Sequence, residues 1–116
     1  MRVHHVALRV ADCERAAAFY SALVDLPELR RSHEGGTLRA VWLDAGGTIL
    51  MLERELRGSG AASGSGHLLA FSVADLAESE QRLRRAGVAI EERTEKTLYV
   101  RDPDGHRVGF TVFDRA

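Results

Sequence analysis

The sequence predicts an α+β domain built from two tandem β-α-β-β-β modules. Three observations carry that prediction. The string V-x-L-x-V-A-D at Val6 to Asp12 recurs as L-x-F-x-V-A-D at Leu69 to Asp75. Each copy alternates its apolar residues with a period of two and ends on an aspartate suited to cap a helix. Behind each helix come short apolar runs separated by Gly- or Pro-containing turns. An internal repeat of this size sets architecture before any single motif does.

In chain order, Val6, Leu8 and Val10 alternate with His5, Ala7 and Arg9, as in a strand with one face on a core. Asp12 caps a helix whose apolar residues Ala16, Phe19, Tyr20 and Leu23 recur at helical spacing. Pro27 ends that helix by about Leu26. Strands are expected near Leu29–Ser32, Leu38–Asp44 and Thr48–Glu53, with hairpin turns at Gly35-Gly36 and Gly46-Gly47. The stretch from Arg57 to Gly66 is rich in Gly and Ser and reads as a flexible connector, with an ordered substrate lid as the alternative. It separates module one, about residues 1–56, from module two, about 67–116, within a single domain spanning 1–116.

In module two, Leu69, Phe71 and Val73 form a strand face. Asp75 with Glu78 makes a capping-box pattern, Leu76, Leu83 and Ala86 are the expected buried stripe, and Gly87 is the stop. Strands are expected near Val88–Arg93, Thr97–Arg101 and Arg107–Phe113. Asp102-Pro103-Asp104-Gly105 supplies a turn in which proline presets φ and glycine takes a positive φ.

Composition narrows the function classes. The chain has 116 residues, is 45% hydrophobic and carries a formal net charge of −1, so no basic patch points to nucleic acid or an anionic membrane. No stretch approaches the ~20 apolar residues of a membrane span. A strand starts almost at the first residue, so no signal peptide is expected. The single cysteine, Cys13, has no intrachain partner, which fits a reducing cytoplasm. Its place near a helix start leaves two readings open, an inert small residue or a thiol of lowered pKa. The glycines between Gly58 and Gly66 lack the Lys-Ser/Thr of a nucleotide-binding loop.

Two such modules, with H-x-x-L-x-V-x-D opening at His5 and D-P-D-G-H at Asp102 to His106, resemble the vicinal oxygen chelate (VOC) superfamily across essentially the whole chain. That superfamily includes glyoxalase I, fosfomycin-modifying thiol transferases, extradiol dioxygenases and bleomycin-binding resistance proteins. The resemblance implies a curved mixed sheet around a cleft, helices on the outside, and a homodimer. The excess of arginine over lysine, with Lys96 alone, points to a bacterial source. Metal-dependent members place His, Glu or Gln at one position early in the first strand and one in the last strand of each module. His5 fits the first of these. The repeat maps His5 onto Leu68, with His67 one residue early and so on the opposite face unless a bulge returns it. Counting from Gly105 places the last-strand position of module two at Gly109. Equating Gly46 with Gly105 places that of module one at Leu50, with Glu53 at the opposite parity and expected to leave the strand toward solvent.

Parity then gives the residues expected to line the cleft: His5, Ala7, Arg9, Thr48, Leu50, Leu52, Leu68, Ala70, Ser72, Arg107, Gly109 and Thr111, joined by Trp42 and Tyr99. Within this apolar hollow, the ligand-binding set is expected to be His5, Arg9, Trp42, Leu50, Leu68, Ala70, Tyr99 and Gly109. The resemblance then implies a metal-free protein that sequesters a small, partly aromatic compound in a dimer cleft, as the bleomycin-binding members do, with no cofactor, nucleic acid or membrane. The alternative is a glyoxalase-like lyase or isomerase, or a dioxygenase. It would use a divalent metal such as Zn, Ni, Mn or Fe held by His5 and His67, with a third ligand from Glu53 or a partner chain. A third reading makes His5 or Tyr99 a metal-free acid or base. Fosfomycin thiol transfer fits least, because the carboxylate is missing and Ala7 stands where those enzymes carry a catalytic hydroxyl.

Overall fold

In the computed structural model, which describes residues 1–58, 60, 64 and 66–114, the chain divides into two compact units, Met1–Gly60 and Ala61–Ala116. The first contains β1 (His5–Arg9), α1 (Cys13–Ala18, running on into a π-helical turn at Phe19–Leu23), β2 (Glu28–Glu34), β3 (Thr37–Asp44) and β4 (Ile49–Glu53). The second contains β5 (Leu69–Ser72), α2 (Leu76–Arg85), β6 (Glu92–Arg93), β7 (Thr97–Arg101) and β8 (Arg107–Thr111). The two sheets have the same plan, β1-β4-β3-β2 and β5-β8-β7-β6. The pairs β1/β4 and β5/β8 are parallel and the rest antiparallel. A parallel pair needs a crossover, and the helix of each module opens it. The expected α+β class and tandem βαβββ modules are therefore present.

Local chemistry explains the helix ends. The Asp12 carboxylate accepts from the Arg15 amide at 3.2 Å, and that of Asp75 accepts from Ala77 and Glu78 at 2.8 and 3.3 Å. Both aspartates satisfy first-turn amides that lack intrahelical partners. The first helix stops a little short of the expected Leu26. The Leu26 amide reaches back to the Tyr20 carbonyl at 3.1 Å, around Asp25, which takes φ 60°. Aspartate tolerates that left-handed conformation better than most residues. At the other helix Gly87 takes φ 77°, and the Val88 amide returns to the Leu83 carbonyl at 2.9 Å, closing the end as expected.

One face of each sheet carries the helix. In module one, Leu8, Val10, Val41, Leu43, Leu50 and Leu52 are buried, as are Ala16, Ala17, Phe19 and Tyr20 of the helix, which packs on β3 and β4. Cys13 is buried with them, its Sγ 3.2 Å from the Arg39 carbonyl, which favours the inert reading. In module two, Leu98, Val100, Val108 and Phe110 are likewise buried, but Leu83 is the one fully buried residue of α2. The expected stripe is thus corrected: Leu76 is half-buried and Ala86 is exposed. Ionic contacts supplement this helix. Glu80 accepts from Arg93 of β6 at 2.5 Å and from Arg84 at 2.9 Å, and both hold its carboxyl below the usual carboxylate range.

Strand bounds also differ, and β2 runs on from the expected Ser32 to Glu34. β6 is reduced to Glu92–Arg93 because the preceding residues pair only through the Glu91 amide to the Tyr99 carbonyl. β8 ends at Thr111, whose Oγ1 accepts from the Phe113 amide at 3.1 Å. Of the expected connector, Ser59, Ala61, Ala62, Ser63 and Ser65 lie outside the described residues.

Candidate ligand-binding site

Each sheet has a second face that its helix does not cover, and cross-strand register identifies its residues. In module one a continuous row runs Arg30, Trp42, Met51, Ala7 across β2, β3, β4 and β1. On one side of it lies the row Asp44, Ile49, His5, and on the other Ser32, Ala40, Glu53, Arg9. In module two the central row is Glu92, Tyr99, Gly109, Ala70. It is flanked by Thr97, Thr111 and Ser72, and by Arg101 and Arg107. Trp42 and Tyr99 therefore occupy equivalent places, as do Ala7 and Ala70.

This register corrects the expectation for β4. Leu50 pairs with Val6 and Leu52 with Leu8, both at most 1% exposed among the helix-side residues. The error has a local origin. Asp44 uses its carboxylate to accept from the Gly46 amide at 2.9 Å, as Asp102 accepts from Asp104 at 2.9 Å. Asp44 thus matches Asp102, and Gly47 (φ 100°), not Gly46, matches Gly105 (φ 92°). Two adjacent glycines made the turn ambiguous, and the unbroken apolar run Ile49 to Leu52 offered no alternation to settle parity. Met51 is the true counterpart of Gly109. Thr48 turns instead to the Val3 and His4 carbonyls at 3.2 and 3.3 Å.

The remaining expected residues are distributed as follows. His5 lies on the open face and is exposed, with its Nδ1 2.9 Å from Nδ1 of His4. Arg9 shares that face, but its Nε, Nη1 and Nη2 donate to the carbonyls of Leu56, Gly60 and Gly58 at 3.0, 3.2 and 2.5 Å. Its evident work is to hold the chain that leaves β4. Leu68, 45% exposed, and Ala70 approach Gly109 so closely that an added β-carbon there would lie 3.6 and 3.5 Å from them. Thr97, which sequence reasoning missed, lies against the same point at 3.5 Å and joins Thr111 by a 2.9 Å hydroxyl contact. His67 is not bulged onto this face. Its Nε2 lies 3.2 Å from Nδ1 of His106, which is 4% exposed and has the helix-side parity of Val108.

Both aromatic residues carry an arginine. The Arg30 guanidinium lies 4.9 Å from the Trp42 ring centroid, and that of Arg107 lies 4.1 Å from Tyr99. Their electrostatic settings differ. Arg107 pairs with Glu92 at 2.5 Å and Glu91 at 3.4 Å. Glu91 also binds Arg101 at 2.8 Å, and these contacts, Arg101 first, hold its carboxyl below the usual range. Arg30 forms no ion pair among the described residues.

The model of the Glyoxalase/Bleomycin resistance protein/Dioxygenase superfamily matches residues 2–110. The chain belongs to this family. Among solved structures it is similar to TioX from Micromonospora sp. ML1, with 28% identity, 96% of this chain and 98% of that one covered, and a TM-score of 0.73. It is similar in fold to the fosfomycin resistance protein FosX from Listeria monocytogenes, an enzyme variant complexed with Mn(II) and 1S,2S-dihydroxypropylphosphonic acid. There the identity is 18%, coverage 98% and 94%, and TM-score 0.81. A lactoylglutathione lyase from Agrobacterium tumefaciens shares the fold at 21% identity, coverage of 95% and 92%, and a TM-score of 0.70. No curated protein matches the chain.

Some members of the family hold divalent metals, so the donor set matters. With the register corrected, the two positions of module one hold His5 and Met51, an imidazole and a thioether, and the two of module two hold Leu68 and Gly109, a hydrocarbon and no side chain at all. Hard divalent ions select oxygen donors, and borderline ions need several imidazoles or thiolates. These residues do not fit such an ion. Glu53 does not complete the set in module one. It pairs with Arg9 while His5 pairs with Ile49, four residues along the strands, or about 13 Å at ~3.3 Å per residue.

Proposed function

We propose that this protein binds and sequesters a small, partly aromatic molecule without using a metal, the role implied by the bleomycin resistance arm of its family. The observation that carries this reading is the content of the four ligand positions. Where metal-dependent relatives need donors, module one offers Met51 beside the flat surface of Trp42, and module two offers Leu68 and the space at Gly109 beside Tyr99. Apolar walls with a few polar groups are the usual chemistry of a small-molecule site. On module one's open face His5 and Ala7 accompany Met51 and Trp42, with Arg9 fixing the chain that leaves β4, and on module two's open face Ala70 and the Thr97–Thr111 hydroxyls accompany Leu68, Gly109 and Tyr99. We carry the family's homodimeric assembly over as part of the same reading.

The test is direct. Protein dialysed without chelator is analysed for metals, weighed by native mass spectrometry, and screened by thermal shift against planar heterocycles and antibiotics. Substoichiometric metal, a dimer mass and stabilisation by aromatic compounds are expected. One tightly held metal per chain would overturn the reading.

A further inference from the structure

We propose that the Arg30–Trp42 pair on the open face of module one selects ligands that combine a planar aromatic ring with a negative charge, the arene carboxylates being the simplest class. This rests on the reading of the protein as a small-molecule binder and names the chemistry of its ligand.

The argument comes from the two modules as internal controls. Trp42 and Tyr99 sit at equivalent positions in the same register, each facing away from the helix with an arginine near its ring. In module two the edge-strand partner of the aromatic is Glu92. It neutralises Arg107, with Glu91 as a second anion. In module one the edge-strand partner is Arg30 itself, and no carboxylate among the described residues pairs with it. The neighbours along its row are Met51 and Ala7, which bring neither charge nor hydrogen-bonding groups.

An arginine lying against an indole keeps its outward N–H groups in a planar fork, the geometry that grips a carboxylate with two parallel hydrogen bonds. The indole offers its plane for stacking, and Met51 adapts its thioether to the shape of a ring. A molecule bearing a ring and a carboxylate in one plane meets both groups at once. A neutral aromatic meets only the second.

The single tryptophan of the chain makes the test clean, because its indole N–H gives one resolved signal in a ¹⁵N-labelled sample. Wild-type protein is titrated with 2-naphthoate and with 2-naphthamide, following that signal and measuring affinity by calorimetry. Naphthoate should shift the indole signal and bind about tenfold more tightly than the amide, as expected for one charge-assisted contact. Arg30→Ala should bring naphthoate down to the amide's affinity, and Arg30→Lys should retain part of the difference. Arg30 is exposed on an edge strand, so the variants are expected to fold, and the backbone spectrum checks this. Equal affinity for acid and amide, an unchanged affinity in Arg30→Ala, or no shift at Trp42 would each overturn the inference. Equal binding of both compounds at Trp42 would leave the small-molecule reading standing, whereas a stoichiometric metal would remove that reading and leave the charge preference to be judged by the titration.

Discussion

Module one sets an exposed arginine beside its indole and leaves it without a carboxylate among the described residues, while module two sets an arginine over its phenol and locks it with Glu91 and Glu92. The backbones beneath follow the same four-stranded order, although β2 is long and irregular where β6 is short. What differs is where the charges sit: the edge strand supplies Arg30 in the first copy and Glu92 in the second, and the β4 position matching Arg107 is Ile49. A repeat lets each half keep its hydrogen-bond ladder while neighbouring side chains decide whether an aromatic–cation pair satisfies itself or stays available to a third group. The helices differ in the same way. α1 and its continuation bury Cys13, Ala16, Ala17, Phe19 and Tyr20, whereas α2 fully buries only Leu83 and adds the Glu80–Arg93 and Glu80–Arg84 contacts.

The largest effect should follow from that imbalance in the helices. Leu83→Ala removes the sole fully buried side chain of α2 and should cost about 3 kcal/mol, read as a lower urea midpoint and faster amide exchange in α2 than in α1. An unchanged midpoint would mean that the ionic contacts, not Leu83, hold this helix.

A smaller effect should come from making module two resemble module one. Glu91→Gln with Glu92→Gln releases Arg107 over Tyr99. The double variant should bind 2-naphthoate about threefold more tightly, on the scale of one exposed ion pair released. If affinity is unchanged, or the gain appears at Trp42 rather than Tyr99, the contrast between the two arginines has been misread.

Acid should affect the two copies unequally as well. Arg101 and Arg107 hold the Glu91 carboxyl below its usual 4.5, so the folded state takes up that proton less readily than the unfolded state. The stabilisation from Glu91 is present above about pH 4.5 and is lost as pH falls through the depressed value. Denaturation series between pH 6 and pH 3 should therefore show a shallower loss in Glu91→Gln than in wild type. Parallel curves would show that Glu91 gains nothing from its arginines.

The smallest effect is expected at Gly109. A β-carbon there meets Ala70, Thr97 and Leu68 at ordinary contact distance, so Gly109→Ala should shift stability by no more than about 0.5 kcal/mol. A large loss would show that the open face of module two tolerates no added volume.

The sequence by itself determined the repeat, the two helix caps at Asp12 and Asp75, the Gly87 stop, and which face of β1, β5 and β7 carries hydrocarbon. Each of these is a short-range pattern: alternation with period two, an oxygen acceptor before a helical run, or a glycine after one. The sequence left His67 on either face, depending on a bulge, and the contact of its Nε2 with His106 is seen only in the structure. Only the tertiary structure decided β4, where four consecutive apolar residues hide their parity and two glycines compete for one turn position. The pairing of Leu50 with Val6 and of Met51 with Ala7 resolves both. It likewise decided the charges around the aromatics, because Arg30 meets Trp42, and Glu92 meets Tyr99 and Arg107, only once strands distant in sequence are hydrogen-bonded in register.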